Sequence, residues 1–216
     1  RHLDKVLEYP NNKYSEDAML MGAEMAYTAK DYEKALHIYK QLKDKAASME
    51  RRQLAKTGML RSAHMLGNEE EIIFTATDLL ADTKLAPELS NEAHYYRAKA
   101  YLDAGKTDRA MEDLKILAKD TRNVYGAEAK YKVAQIYFDG GQTDKAEQEV
   151  LNYIEVSTPH TYWLARSFVL LADVYMKLGR NLDAKQYLLS LKQNYQADDD
   201  IAGMIESRLE KLKTEN

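Results

Sequence analysis

Several residue types are scarce in this chain of 216 residues, and each scarcity narrows the choice of fold. Cysteine is absent, which excludes disulfide bonds and cysteine-ligated metal sites and leaves the redox compartment open. There are only three prolines and nine glycines. Because both residues are unfavourable inside helices, their scarcity is typical of long helices joined by short turns. One tryptophan and three phenylalanines stand against 16 tyrosines, a ratio that suits a thin architecture with much half-exposed surface.

The distribution of charge and apolar residues argues against nucleic acid and membrane as partners. The net charge is −4 and no long basic run exists, whereas a nucleic-acid binder needs a basic face to neutralise phosphates. No apolar run approaches the roughly 20 residues that a helix needs to span a bilayer. Hydrophobic residues make up 45% and charged residues 31%, as in folded proteins. We therefore expect a folded protein with no nucleic-acid partner and no membrane insertion.

Helix, turn and helix alternate along the chain, and no stretch shows the period of two that marks a strand. Small polar residues and prolines predict where helices begin. These predicted starts are Ser15, Asp31, Ser48, Asn68, Pro87, Thr107, Asn123, Thr143, Thr158 with Pro159, Asn181 and Asp198 to Asp200. Residues 1–9 have the pattern of a helix whose partner lies upstream. We therefore expect the chain to be the C-terminal fragment of a longer repeat protein.

One arrangement recurs along the chain: a tyrosine, then a turn glycine, then an alanine that opens the next helix. It stands at Tyr101 to Ala110, Tyr137 to Ala146 and Tyr175 to Ala184, with a weaker copy at Tyr27 to Ala35. Three inward-facing columns follow the same spacing of 36 to 38 residues: Leu42, Leu79, Leu117, Tyr153, Leu191; Ala35, Ile72, Ala110, Ala146, Ala184; and Ala23, Leu60, Ala98, Ala134, Ala172. A helical pair cannot bury its apolar face alone, so neighbouring pairs are expected to stack.

The pattern Ala98-x2-Tyr101-x3-Gly105-x4-Ala110, with its copies from Ala134 and Ala172, resembles the tetratricopeptide repeat family. The resemblance implies an all-α fold, a right-handed α-solenoid of helix-turn-helix repeats. It covers nearly the whole chain, as about five repeats, a leading half repeat and a C-terminal capping helix. Residues 1–216 are thus expected to form a single domain. The second repeat departs from the pattern at Leu60 and Ile72, so the array should be least regular there.

Residue patterns that carry catalysis or bind metal are missing. The five histidines are scattered singly, and none stands at metal-ligand spacing with another. No glycine-rich phosphate loop and no motif around a nucleophilic serine occurs. We expect no catalytic residue, no metal site and no cofactor. An unrecognised enzyme remains the alternative, and a pocket with strongly perturbed carboxylates would favour it.

The resemblance also implies a concave groove that is lined by the first, or A, helix of each repeat and holds a peptide. Carried across by alignment, its positions are Tyr27, Arg61, His64, Tyr95, Lys99, Tyr131, Phe138 and Met176, with Glu24, Gln135 and Asp173 beside them. Rigid aromatic area interleaved with charge binds peptides at low entropic cost. The competing interpretation is that these aromatics pack onto neighbouring helices. The asparagine of the family's carboxylate-binding clamp has no counterpart here, which argues against that chaperone-tail function.

The function predicted from these features is that of a non-catalytic scaffold that binds a peptide or protein partner through the groove. The alternative is a structural module that self-assembles through the array into a homo-oligomer. The stretch from Tyr9 to Ala18 resembles inter-repeat turns of bacterial cell-envelope members of the family. The location is otherwise unknown, and this stretch favours the bacterial periplasm or cell envelope over the cytoplasm.

Overall fold

The computed structural model describes residues 14–214, so the helix predicted within residues 1–9 lies outside the described range. Eleven helices and no strand occur in this range, which confirms the all-α prediction. The helices are α1 Ser15–Thr28, α2 Tyr32–Lys45, α3 Met49–Met65, α4 Glu69–Leu80, α5 Pro87–Asp103, α6 Thr107–Leu117, α7 Val124–Asp139, α8 Thr143–Glu155, α9 Thr161–Lys177, α10 Asn181–Asn194 and α11 Ile201–Thr214. None of them is both long and apolar enough to cross a membrane.

The chain forms two compact units, Arg1–Asp113 and Leu114–Asn216, and the boundary falls within α6. In the first unit each of the helices α1 to α4 packs against the next, and α3 also contacts both α1 and α5. In the second unit α9 contacts α7, α8, α10 and α11. Packing in successive pairs, with A helices touching the next A helix, is the arrangement predicted for helical repeats. The single domain over residues 1–216 stays a prediction.

The three predicted columns form the centre of the packing. Every residue in them is at most 8% exposed, which confirms their inward orientation. In the irregular second repeat, Leu60 and Ile72 share a buried cluster with Ala63 and Ala76. Small residues on both helices of that pair therefore keep the backbones close, while the larger ones fill the space between repeats.

Four of the turns between paired helices depend on glycine. Gly67, Gly105, Gly141 and Gly179 have φ between 64° and 73°, a left-handed conformation that side chains disfavour. In the first repeat Lys30 occupies the same turn position with φ 63°. The weak first copy of the arrangement therefore forms the same turn without the glycine.

Pro87 is the first residue of α5, as predicted, and the predicted caps agree with the structure where the side chain accepts a backbone hydrogen bond. Asp31, Ser48, Asn68 and Asn123 each accept one from the N–H three residues later, as predicted. The predicted caps Ser15, Thr107, Thr143 and Asn181 are instead the first helical residues. The start predicted at Thr158 is wrong, because α9 begins at Thr161 and the Thr158 hydroxyl donates to the carbonyl oxygen of Thr121 at 2.8 Å.

Candidate functional site

A cleft of about 410 Å³ opens in the first unit between α1, α2 and α3. Tyr27 and Arg61, two of the predicted groove residues, line it together with Glu24. The remaining lining residues are Leu20, Thr28, Tyr39, Leu54, Thr57 and Gly58. Aromatic and aliphatic walls with a few polar groups are typical of binding sites for short segments and small ligands. We call this feature the α1–α3 cleft.

The floor of the α1–α3 cleft is the ring of Tyr39, which is 7% exposed. The ring lies against the backbone of α3 at Gly58, where an added Cβ would overlap it. Burial, and to a smaller extent the carboxylate of Glu24, raises the pKa of the Tyr39 hydroxyl. Gly58 and Tyr39 were not among the predicted site residues. A glycine inside a helical pattern is the sequence signal that could have indicated this close approach.

Two charged side chains line the α1–α3 cleft, and they differ in how they are paired. Arg61 donates from Nε to Glu92 Oε1 at 2.7 Å and from Nη2 to Glu92 Oε2 at 2.8 Å. These hydrogen bonds are the main reason that the pKa of Arg61 lies above its ordinary value. Glu24 is exposed and forms no ion pair with any residue of the described range 14–214. Its charge is therefore the one left unneutralised in the cleft.

Three further predicted residues, His64, Tyr95 and Lys99, come together between α3 and α5. The ring of His64 stacks on Tyr96, with centroids 4.2 Å apart, and Tyr96 contacts Tyr95 at 5.7 Å. Lys99 Nζ lies 5.6 Å from the centroid of the Tyr95 ring. Burial and the charge of Lys99 lower the pKa of His64. Five of the predicted residues thus lie on α1, α3 and α5, the successive A helices of the first unit.

In the second unit Tyr131 packs inside rather than lining a surface. It is 6% exposed, its hydroxyl donates to Gln135 Oε1 at 2.8 Å, and it accepts from Arg166 Nη2 at 3.3 Å. The Arg166 guanidinium carbon lies 5.1 Å from the centroid of the Tyr131 ring, and Trp163 contacts the same ring at 5.6 Å. These contacts favour the packing interpretation for Tyr131.

The other predicted positions of the second unit also have partners within the chain. Phe138 is half-buried, and Lys177 Nζ lies 4.9 Å from its ring centroid. Met176 is half-buried against the apolar core of this unit. Arg208 of α11 donates to both carboxylate oxygens of Asp173, at 2.8 and 2.7 Å. The A helices of the second unit therefore engage one another and α11 at most of the positions predicted to face a ligand.

A buried polar cluster in the first unit has a structural role. Asp113 is 2% exposed and accepts from Arg97 Nη2 at 2.7 Å and Arg97 Nε at 2.9 Å, while its Oδ1 lies 2.7 Å from His94 Nδ1. Burial opposes ionisation, but the hydrogen bonds from Arg97 and His94 outweigh it and hold the pKa of Asp113 below its ordinary value. Within residues 14–214 no group of three or more His, Cys, Asp or Glu residues is arranged to hold a metal ion.

Comparisons with known proteins agree with this architecture. Two family models, both described as tetratricopeptide repeat, match residues 92–120 and residues 165–193. A search of curated proteins gave no match. Among solved structures, a Podosopora anserina protein described as a kinesin light chain with nearly identical TPR-like repeats is 18% identical, with a TM-score of 0.57 over 85% of this chain and 96% of that one. BtubC from P. vanneervenii is 12% identical, with a TM-score of 0.59 over 91% of this chain and 90% of that one.

The recurring Tyr, Gly and Ala positions, the helical pairs and the two matched segments identify the chain as a tetratricopeptide-repeat protein. The two solved structures share the fold with it and, at this level of identity, nothing more specific. Repeats of this family generally mediate protein–protein interactions and generally do not catalyse reactions.

Proposed function

We propose that the protein is a non-catalytic scaffold that binds a peptide or protein partner on the A helices of its first unit. The observation that carries this proposal is the α1–α3 cleft, in which Tyr27, Arg61 and the Tyr39 floor surround an open volume of about 410 Å³. An open, partly apolar depression on a rigid helical scaffold can accept side chains of a partner without rearrangement.

The binding surface extends from the α1–α3 cleft towards α5. Arg61 lines the cleft and donates to Glu92 on α5, the helix that also carries the Tyr96 ring stacked on His64. Tyrosine and arginine are among the residue types that contribute most binding energy at protein interfaces. We therefore infer that an extended segment of the partner crosses α1, α3 and α5 in turn.

The proposal is tested by capturing the partner from extracts of the source organism and comparing two leucine variants. Leu54, which lines the cleft, is 51% exposed, and Leu189 on α10 of the second unit is 48% exposed. We expect Leu54→Ser to weaken binding of the captured partner about tenfold and Leu189→Ser to leave it unchanged, because only Leu54 lies at the proposed contact. Equal affinity of Leu54→Ser and the parent chain would contradict the proposal.

Self-assembly is the second candidate function. Leu182 and Leu189 are 84% and 48% exposed and, seven residues apart, share one face of α10. If this face joins two copies, the mass measured by sedimentation should rise with concentration, and the change Leu182→Ser with Leu189→Ser should abolish the rise. A mass that stays at that of one chain at all concentrations would eliminate this candidate.

A further inference from the structure

The electrostatic balance of the α1–α3 cleft indicates what kind of segment it accepts. Two charged residues line the cleft, Glu24 and Arg61. The positive charge of Arg61 is offset by Glu92 through two short hydrogen bonds, at 2.7 and 2.8 Å. The carboxylate of Glu24 has no such counterion among residues 14–214. Counted together, Glu24, Arg61 and Glu92 leave one negative charge, which favours a positively charged ligand.

An acidic ligand would have to compete with Glu92 for Arg61. The Glu92 side chain is only 11% exposed, whereas that of Arg61 is 47% exposed. Displacing Arg61 would leave the Glu92 carboxylate largely buried without its cation, a cost that an acidic ligand would have to overcome and a basic one would not. Because Arg61 is already paired with Glu92, the cleft disfavours anions even though an arginine lines it.

The apolar part of the α1–α3 cleft adds a second requirement. Leu20, Leu54 and the rings of Tyr27 and Tyr39 line it beside Glu24. A volume of about 410 Å³ suits a few side chains of a short segment. The half-exposed ring of Tyr27 also offers an electron-rich face to a cation that is bound by Glu24. The favoured ligand thus combines a basic side chain with a neighbouring aliphatic one.

We infer that the α1–α3 cleft recognises a partner segment in which a lysine or arginine stands next to an aliphatic residue, with Glu24 binding the cation and Leu20, Leu54 and Tyr39 the aliphatic chain. This inference rests on the proposed function, because it names the class of partner segment for the same site. It reverses the charge preference of a carboxylate-binding clamp, whose asparagine this chain lacks.

The inference is tested by NMR titration of the full chain with three synthetic peptides. The probe is Gly-Ser-Leu-Lys-Leu-Ser-Gly, and its two counterparts carry norleucine or glutamate in place of lysine. We expect the lysine peptide to shift amide signals of Glu24, Gly58 and Arg61, and to bind about fivefold more tightly than the norleucine peptide, the gain of one exposed ion pair. The glutamate peptide should bind most weakly of the three.

Two matched variants assign the preference to Glu24. With Glu24→Gln the lysine and norleucine peptides should bind equally, because the counterion is lost. Glu33→Gln removes an exposed carboxylate from α2 in the same unit and should keep the fivefold preference. The inference is overturned if Glu24→Gln keeps the preference, if the glutamate peptide binds most tightly, or if no peptide shifts the amides of the cleft. A captured partner that is lost with Leu54→Ser yet kept with Glu24→Gln would overturn this inference alone and leave the proposed function standing.

Discussion

The two units place different side chains at equivalent positions of their A helices, and the difference separates an open surface from a filled one. Aligned on Ala23 and Ala134, and on Leu60 and Ala172, the residues of the α1–α3 cleft have direct counterparts between α7 and α9. With the residue of the first unit given before that of the second, the pairs are Leu20 and Tyr131, Glu24 and Gln135, Tyr27 and Phe138, Leu54 and Arg166, Gly58 and Leu170, and Arg61 and Asp173.

Side-chain size explains why the equivalent positions of the second unit are filled. The second unit has a tyrosine where the first has Leu20, and Arg166 where the first has Leu54, and these two side chains bond to each other. Leu170, 2% exposed, replaces Gly58, so the α9 backbone has no bare position against which a tyrosine could lie. The same repeat geometry therefore yields either a cleft or a packed interface, depending on a few side chains.

Charge is reversed at one pair of equivalent positions. Arg61 pairs with Glu92 on α5, 31 residues later, and Asp173 pairs with Arg208 on α11, 35 residues later. Both pairs join an A helix to the next helix of the same kind, so α11 takes the place that a further A helix would occupy. The ion pair at this position links neighbouring repeats, and its polarity differs between the two units.

The largest expected effect comes from removing the side chain that fills the second unit. Tyr131→Ala should lower the free energy of unfolding by about 3 kcal/mol, since it leaves a cavity and deprives Arg166 of an acceptor. Its counterpart Leu20→Ala, at a half-buried position, should cost about 1 kcal/mol. Urea unfolding measures both. Equal costs would break the distinction between a filled and an open surface.

A methyl group added at the floor of the α1–α3 cleft should act almost as strongly. Gly58→Ala should destabilise the protein by about 2 kcal/mol, because the new Cβ overlaps the Tyr39 ring and forces it to move. In a protein that already carries Tyr39→Leu, adding Gly58→Ala should cost much less, because the ring that the new Cβ would overlap is gone. A double-mutant cycle without coupling would show that the ring and Gly58 are not in contact.

Loss of the ion pair at the mouth of the cleft should have a smaller effect. Arg61→Ala should cost about 1 kcal/mol, since the Arg61 side chain is 47% exposed and water screens the pair. Arg208→Ala, the equivalent break in the second unit, should cost a similar amount because both partners are about a quarter exposed. Thermal unfolding compares the two, and a cost above about 3 kcal/mol for either would indicate a pair that is far less hydrated than its exposure suggests.

A glycine in the turn of the first repeat should stabilise it, as the glycine does in the equivalent turn of the second unit. Lys30 has φ 63°, where the second unit has Gly141 with φ 73°. Lys30→Gly should stabilise the protein by up to about 1 kcal/mol, because glycine adopts this conformation without steric cost. Gly141→Lys should destabilise it by a comparable amount. Opposite signs for the two changes in chemical unfolding are the expected result, and equal signs would contradict the equivalence of the turns.

The smallest expected effect is a dependence of stability on pH that comes from His64, a residue of the first unit. Burial and Lys99 lower the pKa of His64 in the folded protein, so the unfolded chain binds the proton more readily. The contribution of neutral His64 to stability is therefore fully present above about pH 6.5, and it is lost as the pH falls towards the lowered pKa of the folded protein. Met176 occupies the equivalent position of the second unit. His64→Met should flatten the decline between pH 7 and pH 5 by a few tenths of a kcal/mol in urea unfolding. An unchanged slope would remove His64 as its cause.

Much of the fold follows from the sequence because it depends on contacts that recur at one period. The alanine and leucine columns and the turn glycines repeat every 36 to 38 residues, and each can be recognised by its copies. Helix starts were harder to predict, since a threonine can serve as the first helical residue or as its cap. Thr107 and Thr143 are first residues in the structure, and their residue type does not decide between the two roles.

The sequence predicts the candidate site only in part, because the site depends on side-chain contacts that do not recur from one repeat to the next. Tyr27 and Arg61 were found by alignment, whereas Gly58 and Tyr39 form the floor of the cleft through one contact between α2 and α3. Tyr131 was expected on the same surface, yet Arg166 and Trp163 from the next A helix cover it. Whether an aromatic residue of one repeat is covered depends on side chains about 35 residues away, which the pattern of its own helix does not report.

The proposal that the partner binds to the A helices of the first unit can be tested most directly by amide hydrogen exchange. The full chain is compared with and without its captured partner, at saturation. We predict slower exchange in α1, α3 and α5, centred on the residues around Glu24, Gly58 and Arg61, with α7 and α9 unchanged. Protection that appears in α7 and α9 and spares α1 and α3 would contradict the account.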